Sequence, residues 1–184
     1  MLTLNPAYTL GHSSHPLWRL VEILDRHRIR CLIDVRSQPY SRAQPHFCKD
    51  VLRQNLERAG YLYRYLGDHL GGRPDGNEFY DPDGHARYDR IAAAPRFQDA
   101  LVEAARLVVQ HRSVLLCAEA EPRDCHRRRL LGPALADRGL DLVHILPDGS
   151  LRTEAEFQAG ESGAQAELFP RTSAGPWRSI LPVR

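Results

Sequence analysis

Short apolar runs alternate along this chain with stretches in which apolar residues recur every three or four positions. Ala7–Gly11 (AYTLG) reads as a short buried strand. Pro16–Arg28 then carries Leu17, Leu20, Val21 and Leu24 at helical spacing, with Pro16 at a favoured first-turn position. Arg30–Val35 (RCLIDV) predicts a second strand, and residues 36–45, with Pro39 and Pro45 among polar neighbours, a loop. Phe47, Val51, Leu52 and Leu56 mark a second helix that stops at Gly60. Tyr61–Leu66 (YLYRYL) is rich in strand formers and predicts a third strand. Residues 66–84 are dense in Gly, Asp and Pro, a long loop of the kind usually tied to function or motion. Pro95 opens a helix with Phe97, Leu101, Ala105, Val108 and Val109 on one face, and Ser113–Cys117 (SVLLC) is a continuous apolar strand. A last helix, capped by Asp124 and divided at Pro133, runs through Leu130, Leu131, Ala134 and Leu135 to Gly139, before a fifth strand at Leu142–Leu146.

Strands alternating with helices imply an α/β domain in three layers, with a mainly parallel sheet of about five strands over residues 1–150. From Leu151 onward the periodicity fades and Gly, Ser and Pro increase, so 151–184 reads as a partly extended C-terminal tail. In such sheets ligands sit beyond the carboxyl ends of the strands. That rule selects Gly11–His15, Asp34–Ser41 and Cys117–Arg129, and all three segments are polar.

The composition narrows the class. A chain of 184 residues has room for one domain, and 42% hydrophobic with 26% charged residues is ordinary for a globular protein. No apolar run approaches the roughly 18 residues of a membrane helix. The first residues lack the basic-then-apolar pattern of a secretory leader, so a cytoplasmic location is expected, with the four cysteines as free thiols. A net charge of +2 is far from the footprint of a protein that coats DNA. Lys49 is the one lysine among 25 basic residues, and Arg123, Arg127, Arg128 and Arg129 cluster around a single motif.

That motif, Cys117 to Arg127, concentrates the chemistry. Cys117 ends a strand, while Cys125 and His126 begin a helix, where unpaired N–H groups lower a thiol pKa. Glu119 is placed to move a proton and Arg127 to hold a phosphate or carboxylate. The same residues also have bland readings, a small apolar thiol at a strand end and arginines on a solvated helix face. Cys117 to Arg123 fits the C-x5-R spacing of phosphatase loops, but Glu119 and Glu121 within it repel phosphate. Cys117-Ala-Glu119 with Pro122 before Cys125 resembles the zinc-deaminase signature without its P-C-x-x-C. Cys117, Cys125, His126 and His12 form a candidate metal set, although the seven-residue gap between the cysteines matches no standard structural zinc spacing. His12 and Ser13, after the first strand, are candidates for a base, a ligand or a substrate donor, or for a simple helix-capping turn. No G-x-G-x-x-G is present, so neither a nicotinamide nor a flavin cofactor is expected. Asp34-Val-Arg36 with Pro39 and Ser41 resembles the D-V-R strand end of rhodanese domains, where aspartate and arginine are often structural partners.

Together, Tyr8-Thr-Leu-Gly-His-Ser13, Leu32-Ile-Asp-Val-Arg-Ser-Gln-Pro-Tyr-Ser41, Leu115-Leu-Cys-Ala-Glu119 with Pro122, and Cys125-His126-Arg127 resemble the domain of unknown function 488 family, as does His144-Ile-Leu with Asp148-Gly149. The resemblance implies a Rossmann-like intracellular α/β domain of bacterial and archaeal type and supplies no reaction. Its motifs fall on His12, Ser13, Asp34, Arg36, Cys117, Glu119, Cys125, His126 and Arg127, the residues the strand-end rule selects.

In the tail, Gln165-Ala-Glu-Leu168-Phe169 resembles the peptide by which bacterial replication and repair proteins bind the DNA sliding clamp, with Leu168 and Phe169 as groove anchors. Pro176 and Trp177 suggest that part of the tail docks on the domain or on a partner. The leading expectation is an enzyme acting on a small anionic or nucleotide- or base-like substrate through a Cys/His/Glu/Arg site at the carboxyl edge of the sheet. In it Cys117 or Cys125 is the reactive thiol or a metal ligand, Glu119 or His12 the proton-transfer group, and Arg36 and Arg127 an anion clamp, with Ser13, Asp34, Ser41 and His126 lining the site. The alternative is a binding module for nucleotides or nucleic acid, tethered to DNA machinery by its tail.

Overall fold

The computed structural model describes residues 6–165 and 177–183. Six strands, β1 (Ala7–Gly11), β2 (Cys31–Asp34), β3 (Leu62–Tyr65), β4 (Ser113–Cys117), β5 (Leu142–Ile145) and β6 (Leu151–Thr153), form one sheet in the order β3-β2-β4-β1-β5-β6. All neighbouring pairs are parallel except β5 with β6. Five strands therefore match the sequence expectation, and the sixth comes from the segment read as tail. It is three residues long, too short to show a period, and Gly149 turns the chain into it at a positive φ of 86°.

The helices are α1 (Leu17–Arg26), α2 (Lys49–Arg58), α3 (Gly67–Leu70), α4 (Tyr88–Ala93), α5 (Pro95–Gln110), α6 (His126–Arg129), α7 (Leu131–Ala136) and α8 (Glu154–Gln165). Side chains alternate across the central strands, so each strand feeds two cores. Leu10, Leu32, Val114 and Leu116 pack with Leu20, Ile23 and Leu24 of α1 and Leu52 and Leu56 of α2. Ile33, Val35 and Leu115 pack with Phe97, Leu101 and Val108 of α5 and Leu131 and Leu135 of α7. The result is the three-layer α/β arrangement. Val51 and Val109 face solvent, because each lies off the buried stripe of its helix. No helix among the described residues is long and apolar enough to cross a membrane.

The helix after β4 differs from its expected form. Cys125, not Asp124, takes the N-cap position, and the break falls at Leu130, ahead of Pro133. Proline has no N–H to offer the carbonyl four residues back. That carbonyl, Arg129 O, instead accepts a 2.9 Å bond from the Trp177 indole. Trp177 thus starts a returning strap. Ser179 N donates to Ala86 O at 2.8 Å, Ala86 N donates to Ser179 Oγ at 3.0 Å, and Val183 N donates to Gly84 O at 2.9 Å. The loop at 66–84 is likewise built structure, holding α3 and a 3-10 turn at Asn77–Phe79.

The start of α8 is tied down by a buried network. Arg128 forms a forked ion pair with Glu154, His144 Nε2 lies 3.1 Å from Glu154 Oε2, and Thr9 Oγ1 lies 2.7 Å from His144 Nδ1. Although burial alone would raise the Glu154 pKa, His144 and Arg128 lower it to about 2. A carboxyl depressed on folding contributes stability above its unfolded pKa and loses it as the pH falls through the folded value. Glu154→Gln is therefore expected to destabilise the protein by about 2–4 kcal/mol at pH 7, since Arg128 loses its forked partner. The gap from wild type should close as the pH falls from about 4.5 toward 2. Urea unfolding across that range measures it, and a gap independent of pH would contradict the assignment.

Candidate functional site

The three segments selected by the strand-end rule leave three adjacent strands, since Gly11 pairs with Cys117 and Asp34 with Leu116 across β1, β4 and β2. They nevertheless build two assemblies, one on each face of the sheet. The parity of the strands decides which: Cys117 points to the same face as Leu115, and Asp34 to the same face as Leu32.

On the α5/α7 face, Cys117, Glu119, Cys125 and His126 bring one potential ligand atom each within 4.8 Å of one another. Cys125 Sγ lies 3.3 Å from Cys117 Sγ and 3.2 Å from Glu119 Oε2. His126 Nδ1 lies 3.6 Å from Cys117 Sγ and 3.7 Å from Cys125 Sγ, and Cys117 also touches Glu119 Oε2. The far nitrogen, His126 Nε2, donates to Val35 O at 3.0 Å, which aims Nδ1 at the sulfurs. Glycine at position 72 permits this placement, because a Cβ there would overlap the His126 side chain. Burial alone would raise the Cys117 thiol, but the hydrogen bond from Cys125 and the charges of His126 and Arg127 hold it well below the ordinary thiol range. Cys125 is pushed the other way, by burial and by donating to Cys117. For His126 the burial penalty is overcome by Cys117 and Glu119, and its pKa rises.

Arg127 holds the loop that closes this cluster. It is fully buried, with Nη1 donating to Glu119 O and Nη2 to Ala120 O at 2.8 Å. Gly11 is required at the same point, since a Cβ would collide with the Glu119 carbonyl. Ser13 N donates to Ala118 O at 2.9 Å, tying the loop to the end of β1.

On the opposite face, Arg36 is committed to Asp34 through Nε at 2.8 Å and Nη2 at 2.6 Å, and its Nη1 donates to Phe47 O at 2.9 Å. Tyr63 donates to the same carboxylate at 2.7 Å. His12 stacks on Phe47 at 4.0 Å, donates from Nδ1 to Ser13 O at 2.9 Å, and accepts at Nε2 from Arg36 at 3.2 Å. Burial and the Arg36 charge lower its pKa to about 4. A neutral imidazole with both nitrogens engaged is neither an available base nor a metal ligand, so His12 stands outside the cluster and Glu119 takes the fourth place. The expected anion clamp does not form, because Arg36 and the two terminal nitrogens of Arg127 are committed to the protein itself, and Arg127, with Nε buried and unpaired, does not line the cavity. Ser41 serves a local turn, its Oγ accepting from Gln44 N at 3.0 Å. Gln165 ends α8, and Leu168 and Phe169 lie outside the described residues.

A cavity of about 630 Å³ opens beside the cluster, lined by Cys117, Glu119, Cys125 and His126 together with Ser37, Gln38, Gly72 and Arg73. Arg36, Ala118, Ala120, Tyr88, Glu121, Asp124 and the strap residues Ser179, Leu181, Pro182 and Val183 complete its walls. Tyr88 follows the long loop and lies at no strand end, so no strand-end rule selects it, and of the strap only Trp177 stands out in the sequence. Tyr88 is 2% exposed, meets Trp177 edge-on at 6.1 Å, and has no hydrogen-bond partner for its hydroxyl among the described residues.

No curated protein and no solved structure shows significant similarity to the chain. Residues 16–132, more than half of the chain, match the family described as Domain of unknown function DUF488, and this span carries β2 and β4 with the whole Cys117–His126 cluster. The chain belongs to the DUF488 family.

Proposed function

We propose that this protein is a metal-dependent enzyme in which Cys117, Cys125 and His126 hold a zinc ion and Glu119 transfers protons beside it. The observation that carries this reading is the convergence of the four ligand atoms within 4.8 Å in the wall of an open cavity. Two thiols and an imidazole favour zinc over magnesium or calcium, which take oxygen ligands. A tetrahedral zinc with bonds of about 2.3 Å to sulfur and about 2.0 Å to nitrogen sets sulfur and nitrogen about 3.5 Å apart and two sulfurs about 3.8 Å apart; the two Sγ–Nδ1 separations, 3.6 and 3.7 Å, match, and the Sγ–Sγ separation of 3.3 Å would open by about 0.5 Å on binding. The Nε2–Val35 bond is the outer-shell contact that fixes a metal-binding histidine in the required tautomer.

The fourth group argues for chemistry rather than a structural centre. Structural zinc sites are closed by four protein ligands drawn from Cys and His, whereas catalytic sites keep three protein ligands and a position for water. Here the three buried groups are Cys117, Cys125 and His126, and the fourth is an exposed carboxylate facing the cavity. A zinc ion held by Cys117, Cys125 and His126 would supply a water acidified to a pKa of about 7. Glu119, at the cavity side of these three, is the group placed to accept a proton and return it to the leaving group, as a general base and then a general acid. The reaction class is attack of water on an electrophilic carbon, that is, hydrolysis or deamination. Two cysteines, a histidine and a nearby glutamate are the donor set of zinc deaminases.

Protein purified under reducing conditions is expected to carry about one zinc per chain by elemental mass spectrometry. Cys117→Ser, Cys125→Ser and His126→Ala should each lower that content severalfold. Chelation should expose Cys117 and Cys125 to alkylation. A chain that takes up no zinc, and whose Cys117 alkylates rapidly without chelation, would leave a thiol nucleophile in place of a metal centre. Glu119→Gln tests the role of the fourth group. It should retain zinc while losing turnover of any substrate by about 100-fold or more, and loss of the metal in this variant would identify a closed structural site.

A further inference from the structure

The lining of the cavity restricts what it can receive, and the strongest restriction is charge. Beyond Glu119 it presents two more carboxylates, Glu121 and Asp124. Of its cationic side chains, Arg36 is committed to Asp34 and Phe47, which leaves Arg73, exposed at the mouth, as the uncommitted cation among the described lining residues. An anion entering such a site meets repulsion without a fork to hold it. The expectation of a small anionic substrate therefore finds no support in the lining.

What the cavity does offer is neutral hydrogen bonding between apolar surfaces. Ala118, Pro182, Val183 and Leu181 supply apolar area. The Gln38 amide, a donor and an acceptor, is without a partner among the described residues and faces both this cavity and a neighbouring one by Tyr40 and Lys49. Tyr88 is the more informative group. Its ring is held by Trp177, it is almost wholly buried, and its hydroxyl is unspent. Unpaired with protein, the hydroxyl is open to the cavity, where a ligand can take its hydrogen bond. At about 630 Å³ the space is of the size that small-molecule sites occupy.

Resting on the metal-centre reading above, we infer that the cavity receives a neutral, planar nitrogen heterocycle of the nucleobase type, and that Tyr88 donates the hydrogen bond that orients it beside the Cys117–Cys125–His126 centre. Such a ligand has amide- or amidine-like edges for Tyr88 and Gln38, flat faces for the strap residues, and no charge for Glu121 and Asp124 to repel. Arg73 at the mouth is then left for a substituent outside the pocket.

The test is calorimetric titration of zinc-loaded protein with cytosine, uracil, adenine and hypoxanthine, and with inorganic phosphate as the anionic control. At least one base is expected to bind and phosphate is not. Tyr88→Phe keeps the ring against Trp177 and should weaken base binding about tenfold, the loss of one hydrogen bond, with zinc content and melting temperature unchanged. Gln38→Ala, an exposed position with no structural bond to lose, should also weaken binding and provides a second reading should Tyr88→Phe misfold. Binding of phosphate without any base, no binding of any base, or equal base affinity in wild type and both variants would each overturn the inference. The same titration on chelated protein separates the two proposals: base binding that depends on Tyr88 in a chain that never takes up zinc would sustain the pocket assignment while removing the metal centre.

Discussion

The guanidinium of Arg127 is the group on which the cluster depends. It lies fully inside the protein, where an unpaired charge costs several kcal/mol, and its cost is offset by what it binds. The carbonyls of Glu119 and Ala120 turn inward behind Cys117 and take hydrogen bonds from its two terminal nitrogens. Those bonds close the loop from Cys117 to Cys125 into a bend that sets two thiols, eight positions apart, within 3.3 Å. Nη1 also lies 3.5 Å from Cys125 Sγ, so the charge that shapes the loop also favours negative sulfur. Gly11 belongs to the same device, because the inward carbonyl occupies the space a Cβ would need. A residue that resembles a substrate clamp in sequence is thus the internal strut of the site.

The second constraint is the pleat of the sheet. Adjacent strands deliver Cys117 and Asp34 to the same edge but to opposite faces, and everything attached to each residue follows it. Asp34 gathers Arg36, Tyr63 and, through Arg36, His12 into a buried polar network against Phe47. Every member has partners, and this is the condition under which such a network rigidifies rather than destabilises. It fixes the backbone at Val35, whose carbonyl crosses to the other face and orients His126. The two halves of the motif set are therefore unequal in role: the Asp34 half positions, and the Cys117 half presents reactive atoms to the cavity.

The sequence was most informative where local patterns and strand ends decide the outcome. The apolar runs at Ala7–Gly11, Cys31–Asp34 and Ser113–Cys117 are buried on both faces, so composition alone marks them. Placing polar motifs at their carboxyl ends then predicts convergence at one edge. Which face each side chain takes depends on register to the residue, and His12, Asp34 and Arg36 were grouped with the thiols for want of it. Tyr88 and the strap are illegible for a different reason. They reach the cavity through contacts between distant segments, Ala86 with Ser179 and Trp177 with Arg129, that no short-range spacing records. β6 was missed because three residues, flanked by a Gly turn and a helix, carry too little period to distinguish a strand from a tail.

The charge balance of the cluster has one more consequence. Cys117, Cys125 and Glu119 are three groups that become anionic on losing a proton, and they touch one another in a largely buried corner. Like charges at such separations cannot all ionise, so with protons as the only cations at least one group stays neutral. The opposite shifts of Cys117 and Cys125 express that frustration, one thiol lowered as the other is raised. Arg127 cannot relieve it further, since its terminal donors are already turned toward the loop carbonyls and Cys125. His126, whose pKa is raised by Cys117 and Glu119 against its burial, directs Nδ1 at both sulfurs. A divalent cation among the four atoms would take the place of protons shared among them and would supply counter-charge to the two thiols and the carboxylate together. In this reading the geometry at the end of β4 is unfavourable as an assembly of side chains alone and favourable as a set of ligands.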